Sequence, residues 1–518
     1  MINLKKQSLL KSTSLVSIMT FISRMLGFGR DMILAQMFGA EAAMDAFYIA
    51  FKIPNFMRRL FAEGAFSQAF VPVLAEYQKT RTIDEVRLFL ARIAGSMSAV
   101  LSLVTLIGII ASPVVIYIFA PGFGEDSVRS ELATYMLKLT FPYLLLISLT
   151  AMAGAILNTY GYFGVPAITP VLLNISLIVS AVYLSTKFTT PVIALAWGVL
   201  IAGIVQLLFQ IPFLMQHKLL VKPKFVFADP GVKRVMKLMV PALFGVSVAQ
   251  VNLMIDTIFA SFLQVSSVTW LYYTDRLTDF PLGVFGVAIA TVILPHLSRR
   301  HAEKNTDNFS KALDWALRLL LLIGVPAACG LVFFAMPIIA GFFAYGKFNV
   351  IDVLQTKRSL ITLGLGVPAF MMVKVLASGF YAKQNIKTPV KVGVSAMIIN
   401  SIFCALLFIP MEHAGLTLAS TIAGYVNCGT LLFLLIKRGI FKLSPGWTKF
   451  LFQLFIANFL IAIYLYYIQG DVDFWFNLPR LHRILKLLLH VFVSFIIYIG
   501  ALWTCGLRIS QFRGQIKG

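Results

Sequence analysis

AAMDAFYIAFKIPNFMRRLFAEGAFSQAFVPVL, residues 42–74, is long and apolar enough to cross a bilayer, yet it carries Asp45, Lys52, Arg58, Arg59 and Glu63. On an α-helix, residues seven apart return to within ~20° of the same face. Asp45, Lys52 and Arg59 therefore share one stripe, which Glu63 extends. At ~1.5 Å per residue the stripe runs ~27 Å, nearly the thickness of the hydrocarbon core. Pro54, with Asn55 and Gly64 nearby, predicts a kink that bends it. An ionised side chain at the bilayer centre costs ~2.5 to 3.5 kcal/mol on insertion scales, so such residues require water, a counter-charge or an anionic ligand.

The same tension recurs along the chain. Of 44 Lys and Arg residues, Arg24, Arg30, Lys52, Arg58, Arg59, Arg92, Lys138, Arg276, Arg318 and Lys374 lie in or against apolar runs. A composition of 59% hydrophobic and 13% charged residues excludes an ordinary soluble domain and defines an all-α polytopic membrane protein. Against a span of roughly 20 apolar residues, the chain yields fourteen transmembrane candidates. Their cores are 14–38, 42–74, 90–119, 131–157, 163–186, 190–214, 234–263, 267–296, 312–344, 356–381, 389–410, 414–436, 447–468 and 484–507. The N-terminal segment has a basic patch before apolar residues, but Arg24 interrupts the run and no small-residue cleavage site follows, so it reads as a retained span. Cys329, Cys404, Cys428 and Cys505 sit in apolar spans without metal-ligand spacing and read as small hydrophobes, with neither metal nor cofactor expected.

Basic residues are concentrated at the N-terminus, in the loops after spans 2, 6, 8, 10 and 12, and in the C-terminal tail. Lys218, Lys222, Lys224, Lys233, Arg234 and Lys237 form the densest group. The opposite loops hold only Arg129, Lys187, Lys347, Lys357, Arg358, Arg480, Arg483 and Lys486, which places both termini in the cytoplasm. The net charge of +23 is thereby topological signal plus cavity lining, not a nucleic-acid footprint.

A weak internal repeat is present. Pro72-Val73-Leu74 matches Pro295-His296-Leu297 at a separation of 223, and Pro166 matches Pro389 at the same separation. Ala202-Gly203 and Gln206 correspond to Ala423-Gly424 and Asn427 at 221. These matches divide the chain into an N-terminal lobe (residues 1–222, spans 1–6), a C-terminal lobe (223–440, spans 7–12) and two extra helices (441–518). Six spans per lobe make the repeat parallel, with a pseudo-two-fold along the membrane normal and a cleft between the lobes.

Span 1 contributes Arg24, Arg30 and Asp31, with Gly27 and Gly29 permitting close helix contact, and span 8 contributes Asp275, Arg276 and Asp279. Two readings of these charges stand side by side. Arg58 and Arg59 serve as an interfacial anchor, Arg24 snorkels, and the Arg–Asp neighbours only lock helices; or the excess cations leave a positive field suited to a pyrophosphate. Asn158, Asn174, Gln206, Gln210, Gln250, Asn252, Asn400 and Asn427 read as interhelical hydrogen-bonding residues, and Arg92 and Lys138 as snorkelling residues near span ends.

The runs Ser23-Arg24-Met25-Leu26-Gly27-Phe28-Gly29-Arg30-Asp31, Asp45-Ala46-Phe47, Phe51-Lys52-Ile53-Pro54-Asn55, Arg58 to Pro72 and Tyr273-Thr274-Asp275-Arg276 resemble the MurJ (MviN) lipid II flippases of bacteria. That family belongs to the multidrug/oligosaccharidyl-lipid/polysaccharide exporter superfamily. Similarity extends through Gly346-Lys347-Phe348 and Lys387-Thr388-Pro389-Val390-Lys391. The resemblance implies two six-helix lobes plus two C-terminal helices in the bacterial inner membrane. It implies transport of lipid II, undecaprenyl-pyrophosphate bearing the peptidoglycan disaccharide pentapeptide, from the cytoplasmic to the periplasmic leaflet by alternating access. It also implies functional arginines at Arg24, Arg30, Arg59 and Arg276, an acidic partner at Asp45, and further motif positions at Asp31, Lys52, Arg58, Glu63 and Asp275. The last two spans are implied to form a lipid-tail groove, for which Phe450, Phe452, Phe455, Phe459, Phe492, Phe495 and Tyr498 are candidates beside plain lipid contact. Cell-wall synthesis proteins are candidate partners, and a coupling ion is left unassigned. The alternatives are a flippase for another polyprenyl-linked glycan, a multidrug or cation antiporter, and a non-transporting scaffold. An enzyme ranks last, because neither paired catalytic carboxylates nor a His motif stands out.

Overall fold

Helix starts and breaks in the computed structural model coincide with identifiable side chains. The structure describes residues 9–303 and 305–508; within these, the side chains of 9–15, 61–63, 125 and 244–249 lie outside the description, so Glu63 is placed by its backbone alone. The chain divides after Ser266 into two compact units.

The first unit comprises α1 (Leu9–Phe38), α2 (Ala42–Met57), α3 (Ser67–Thr80), α4 (Ile83–Ile110), α5 (Ser112–Phe119), α6 (Ser127–Thr140), α7 (Tyr143–Thr159), α8 (Gly164–Val179), α9 (Ile193–Gln216) and α10 (Pro230–Ser261). The second comprises α11 (Ser267–Pro281), α12 (Val287–Ala302), α13 (Thr306–Phe333), α14 (Ala335–Phe342), α15 (Val350–Gly364), α16 (Val367–Tyr381), α17 (Lys387–Met411), α18 (His413–Lys437), α19 (Trp447–Ile468), α20 (Val472–Asn477) and α21 (Arg480–Thr504). Among the described residues the secondary structure is helical, without β-strands.

Capping sets several of the starts. Thr82 and Glu85 exchange side-chain and backbone bonds at the head of α4, and Asn349 and Asp352 do the same for α15. Asp229 accepts from the Gly231 and Val232 amides ahead of α10, where Pro230 occupies the first turn. Proline sets the breaks. Pro54, which cannot donate and crowds the preceding turn, lies just before a π-helical segment at Arg58–Phe66. Pro281 is followed directly by another π segment, Leu282–Gly286, whereas the π segment Ser180–Leu184 continues α8 without an adjacent proline.

Eleven helical stretches are long and apolar enough to cross a membrane among the described residues, and each coincides with an expected span. Outside that set fall α1, the α2–α3 stretch and α10, the helices that carry Arg24, Arg30, Asp31, Asp45, Lys52, Arg58, Arg59 and Asp256.

Arg92 does not snorkel as expected: it pairs with Asp229 and ties α4 to the head of α10. A second tie joins Arg234 on α10 to Glu76 on α3 at 2.8 Å. The Arg234 hydrogen bond holds the Glu76 carboxyl below the usual carboxylate range. This exposed tie is therefore complete above the ordinary carboxylate pKa and is lost as pH falls through the lowered value.

Arg318 also has a structural role. On α13 it pairs with Asp314 at 2.9 Å and stacks over the Trp447 and Phe450 rings at 5.0 and 5.6 Å. Asp314 accepts in turn from the Ser444 amide at 3.2 Å and the Trp447 indole at 2.6 Å. The segment leading into α19 is thereby nailed to α13. Of the aromatic residues considered for a tail groove, Phe450 and Tyr498 are buried, whereas Phe452, Phe455, Phe459, Phe492 and Phe495 are exposed on α19 and α21.

Asp314→Ala removes the acceptor for two donors and the counter-charge of Arg318, and a loss of about 2 to 3 kcal/mol is expected, the scale of charged hydrogen bonds left unmade. A lowered melting temperature together with faster proteolysis between α18 and α19 checks this. Asp314→Asn, which keeps an acceptor, should lose less.

Candidate functional site

On α1, Arg24 is exposed whereas Arg30 is buried. Arg30 donates through Nε and Nη2 to Asp31 Oδ1 at 2.9 and 2.6 Å, and through Nη1 to Asn174 Oδ1 of α8 at 3.1 Å. Adjacent helical residues point about 100° apart, yet the guanidinium is long enough to fold back onto its neighbour. Gly27 faces this contact: a Cβ there would lie 3.6 Å from the Asn174 amide, an ordinary van der Waals distance. Gly29, in contrast, faces open space.

On α2 the expected stripe separates into distinct tasks. Asp45 is fully buried and accepts from the Ser266 amide at 2.7 Å. Ser266 has a φ of 80°, unusual for a residue with a side chain, and its hydroxyl also bonds the Ala40 carbonyl. Asp45 thus stabilises a strained turn at the end of the first unit. Lys52 donates to Thr257 of α10 at 3.4 Å. Arg58 is oriented by the Asn55 amide oxygen, which receives its Nε and Nη2 at 2.9 and 2.7 Å. Arg59 is exposed on the π segment. Since that segment begins at Arg58, the seven-residue spacing of a regular α-helix does not carry the stripe from Lys52 through Arg59 to Glu63.

In the second unit, Arg276 of α11 donates to the Tyr272 hydroxyl at 3.2 and 3.1 Å and stacks 5.2 Å from that ring. Tyr272 lies one turn earlier, which gives the side chain a neutral orienting partner. Asp275 is half-buried beside it.

The structure therefore joins Arg30, Asp31 and Asn174, and separately joins Arg58 with Asn55, Arg276 with Tyr272, Lys52 with Thr257 and Asp45 with Ser266. Sequence reasoning missed the roles of Tyr272, Thr257 and Ser266. The Tyr272–Arg276 spacing of four was the only local signal among them. Asn174 was flagged as an interhelical residue, but its partner 144 positions away was not readable.

These features, apolar helices carrying cations oriented by neutral and acidic partners, describe a polytopic membrane protein. Residues 34–481 match the family model described as lipid II flippase MurJ. The chain is 42% identical over 503 residues to the probable lipid II flippase MurJ of Haemophilus influenzae, covering 95% of this chain and 98% of that protein. A solved lipid II flippase MurJ in an inward closed conformation superposes with a TM-score of 0.79 at 29% identity, over 94% of this chain and 97% of that one. An inward-facing multidrug MATE transporter shares the fold at a TM-score of 0.68 and 15% identity, over 83% and 98% of the two chains. The fold is thus one that these two solved transporters share. Within that fold, the chain belongs to the MurJ lipid II flippase family.

Asp45→Ala leaves the buried Ser266 amide without its acceptor, for an expected loss of about 1 to 3 kcal/mol. Asp45→Asn retains an acceptor and should melt near the wild-type temperature; equal destabilisation by both substitutions would contradict the clamp.

Proposed function

We propose that this chain carries lipid II from the cytoplasmic to the periplasmic leaflet of the bacterial inner membrane. The observation that carries the reading is the α1 pair: exposed Arg24 lies on the same helix as buried Arg30, which Asp31 and Asn174 hold in a fixed orientation. Family membership supplies the substrate class.

The full arrangement we infer has fourteen spans, two six-helix lobes at residues 1–222 and 223–440, and two further helices at 441–518, with both termini cytoplasmic. The paired breaks support the repeat: shifted by its 223-residue period, residues 58–66 fall on 281–289, the region that contains the π segment Leu282–Gly286. Arg24, Arg30, Arg58, Arg59, Lys52 and Arg276 form the cationic lining. Asp31 and Asp275 balance it, Asp45 fastens the structure around it, and Glu63 completes the motif.

Lipid II crosses slowly by itself because its sugars and pyrophosphate would lose their hydration in hydrocarbon. Guanidiniums replace that hydration, and their planar forks match phosphate oxygens two at a time. The polyprenyl tail stays in lipid while the lobes rock to expose the headgroup outward. A negative-inside potential favours outward movement of an anion by ~2.3 kcal/mol per charge per 100 mV. Alternating access lets the cations stay with the protein while the substrate leaves.

Depletion of the native protein and complementation with Arg24→Ala or Arg276→Ala tests the reading. Expected is loss of lipid-linked precursor from the outer leaflet despite normal expression; wild-type outer-leaflet levels would remove the cationic pathway. Arg→Lys at the same positions should restore only part of the activity, since lysine keeps the charge without the fork.

A further inference from the structure

Asn174 sits on α8 and is itself largely buried, yet its amide bonds α1 in two places at once. Its oxygen receives Arg30 Nη1 at 3.1 Å, and its nitrogen donates to the Ser23 carbonyl at 3.2 Å and to Pro170 O of its own helix at 3.5 Å. The chemistry dictates the residue type. A guanidinium only donates and a backbone carbonyl only accepts, so the group between them must present one acceptor and one donor on a short planar frame. A carboxylate lacks the donor, and an apolar side chain lacks both. The Ser23 carbonyl lies immediately before Arg24, and Gly27, between the two contact points, faces the amide. One side chain therefore pins α1 on either side of Gly27 and sets the rotation of the helix that carries both arginines.

The neutral character of the amide matters as much as its geometry. Arg30 already shares the full charge of Asp31 at 2.6 Å. A second carboxylate would further oppose its attraction for an anion, whereas an amide oxygen orients the guanidinium without adding a full negative charge.

We propose that Asn174 is a positioning residue for pyrophosphate capture, holding the Arg30 guanidinium and the Arg24 segment of α1 in the geometry that receives the anion. This rests on the transport reading above. The test uses the full chain in nanodiscs, with affinities for lipid II and for undecaprenol, which shares the tail but lacks the pyrophosphate, and with melting temperature measured alongside. Asn174→Ala should weaken lipid II binding about tenfold, the scale of one charged hydrogen bond, and leave undecaprenol binding unchanged. Added to Arg30→Ala, it should weaken binding by less than about twofold more, because the two residues act as a unit. Asn174→Asp keeps the acceptor for Arg30 and provides a folded comparison if the alanine variant is unstable; it too should lose preference for lipid II over undecaprenol. Wild-type preference in a folded Asn174 variant, while Arg30→Ala weakens binding, overturns the positioning role alone. Wild-type preference in Arg30→Ala overturns the Arg30 capture site, and the role of Asn174 with it.

Discussion

A guanidinium buried between membrane helices needs acceptors for its protons, and the arrangement around Arg30 follows from that requirement. Asp31 answers part of the charge and Asn174 supplies a neutral oxygen from the neighbouring helix. The approach of α8 to α1, the glycine at position 27 and the direction in which α1 presents Arg24 all depend on this contact. Removing Asp31 would take a counter-charge from a desolvated cation, which is more costly than losing an ordinary surface pair.

The same principle recurs away from the transport helices, in another chemical form. Arg483, buried at the start of α21, receives no carboxylate in its described hydrogen bonds. Instead it donates to the carbonyls of Leu478, Ala344 and Phe476 at 2.8, 2.6 and 2.6 Å. These are carbonyls at the ends of short helices, where intrahelical donors run out. One arginine thus closes the turn between α20 and α21 and fastens it to the segment after α14. Together with the Asp314–Arg318–Trp447 cluster, it fastens α19 and α21 to α13 and to the segment after α14 within the second unit.

Most of the helical plan was readable from residue pattern, because apolar length is a property of a window and needs no partner. The break near Pro54 was readable too, since proline acts on its own turn. Its form was not: periodicity assumes a regular helix, and the π segment after Arg58 invalidates the seven-residue spacing from that point. Charged residues were found without the distant partners described above. Asp45 shares a face with Lys52 in an ideal helix, yet its partner is a backbone amide 221 residues on. Arg92 looked like an end-of-span residue because Asp229, its partner, lies 137 positions away. Arg30 and Asp31 were readable as neighbours, whereas Asn174 acquired its meaning only when α8 was placed beside α1.

The two π segments that follow prolines carry a mechanical consequence. A π turn holds a residue more than an α turn, and that surplus is able to pass along the chain by trading one hydrogen-bond partner for the next. Helices that contain such slack change their twist without unravelling. Since such a surplus follows Pro54 in one unit and Pro281 in the other, each unit possesses its own swivel, beside Arg58 and Arg59 in the first and close to Arg276 in the second.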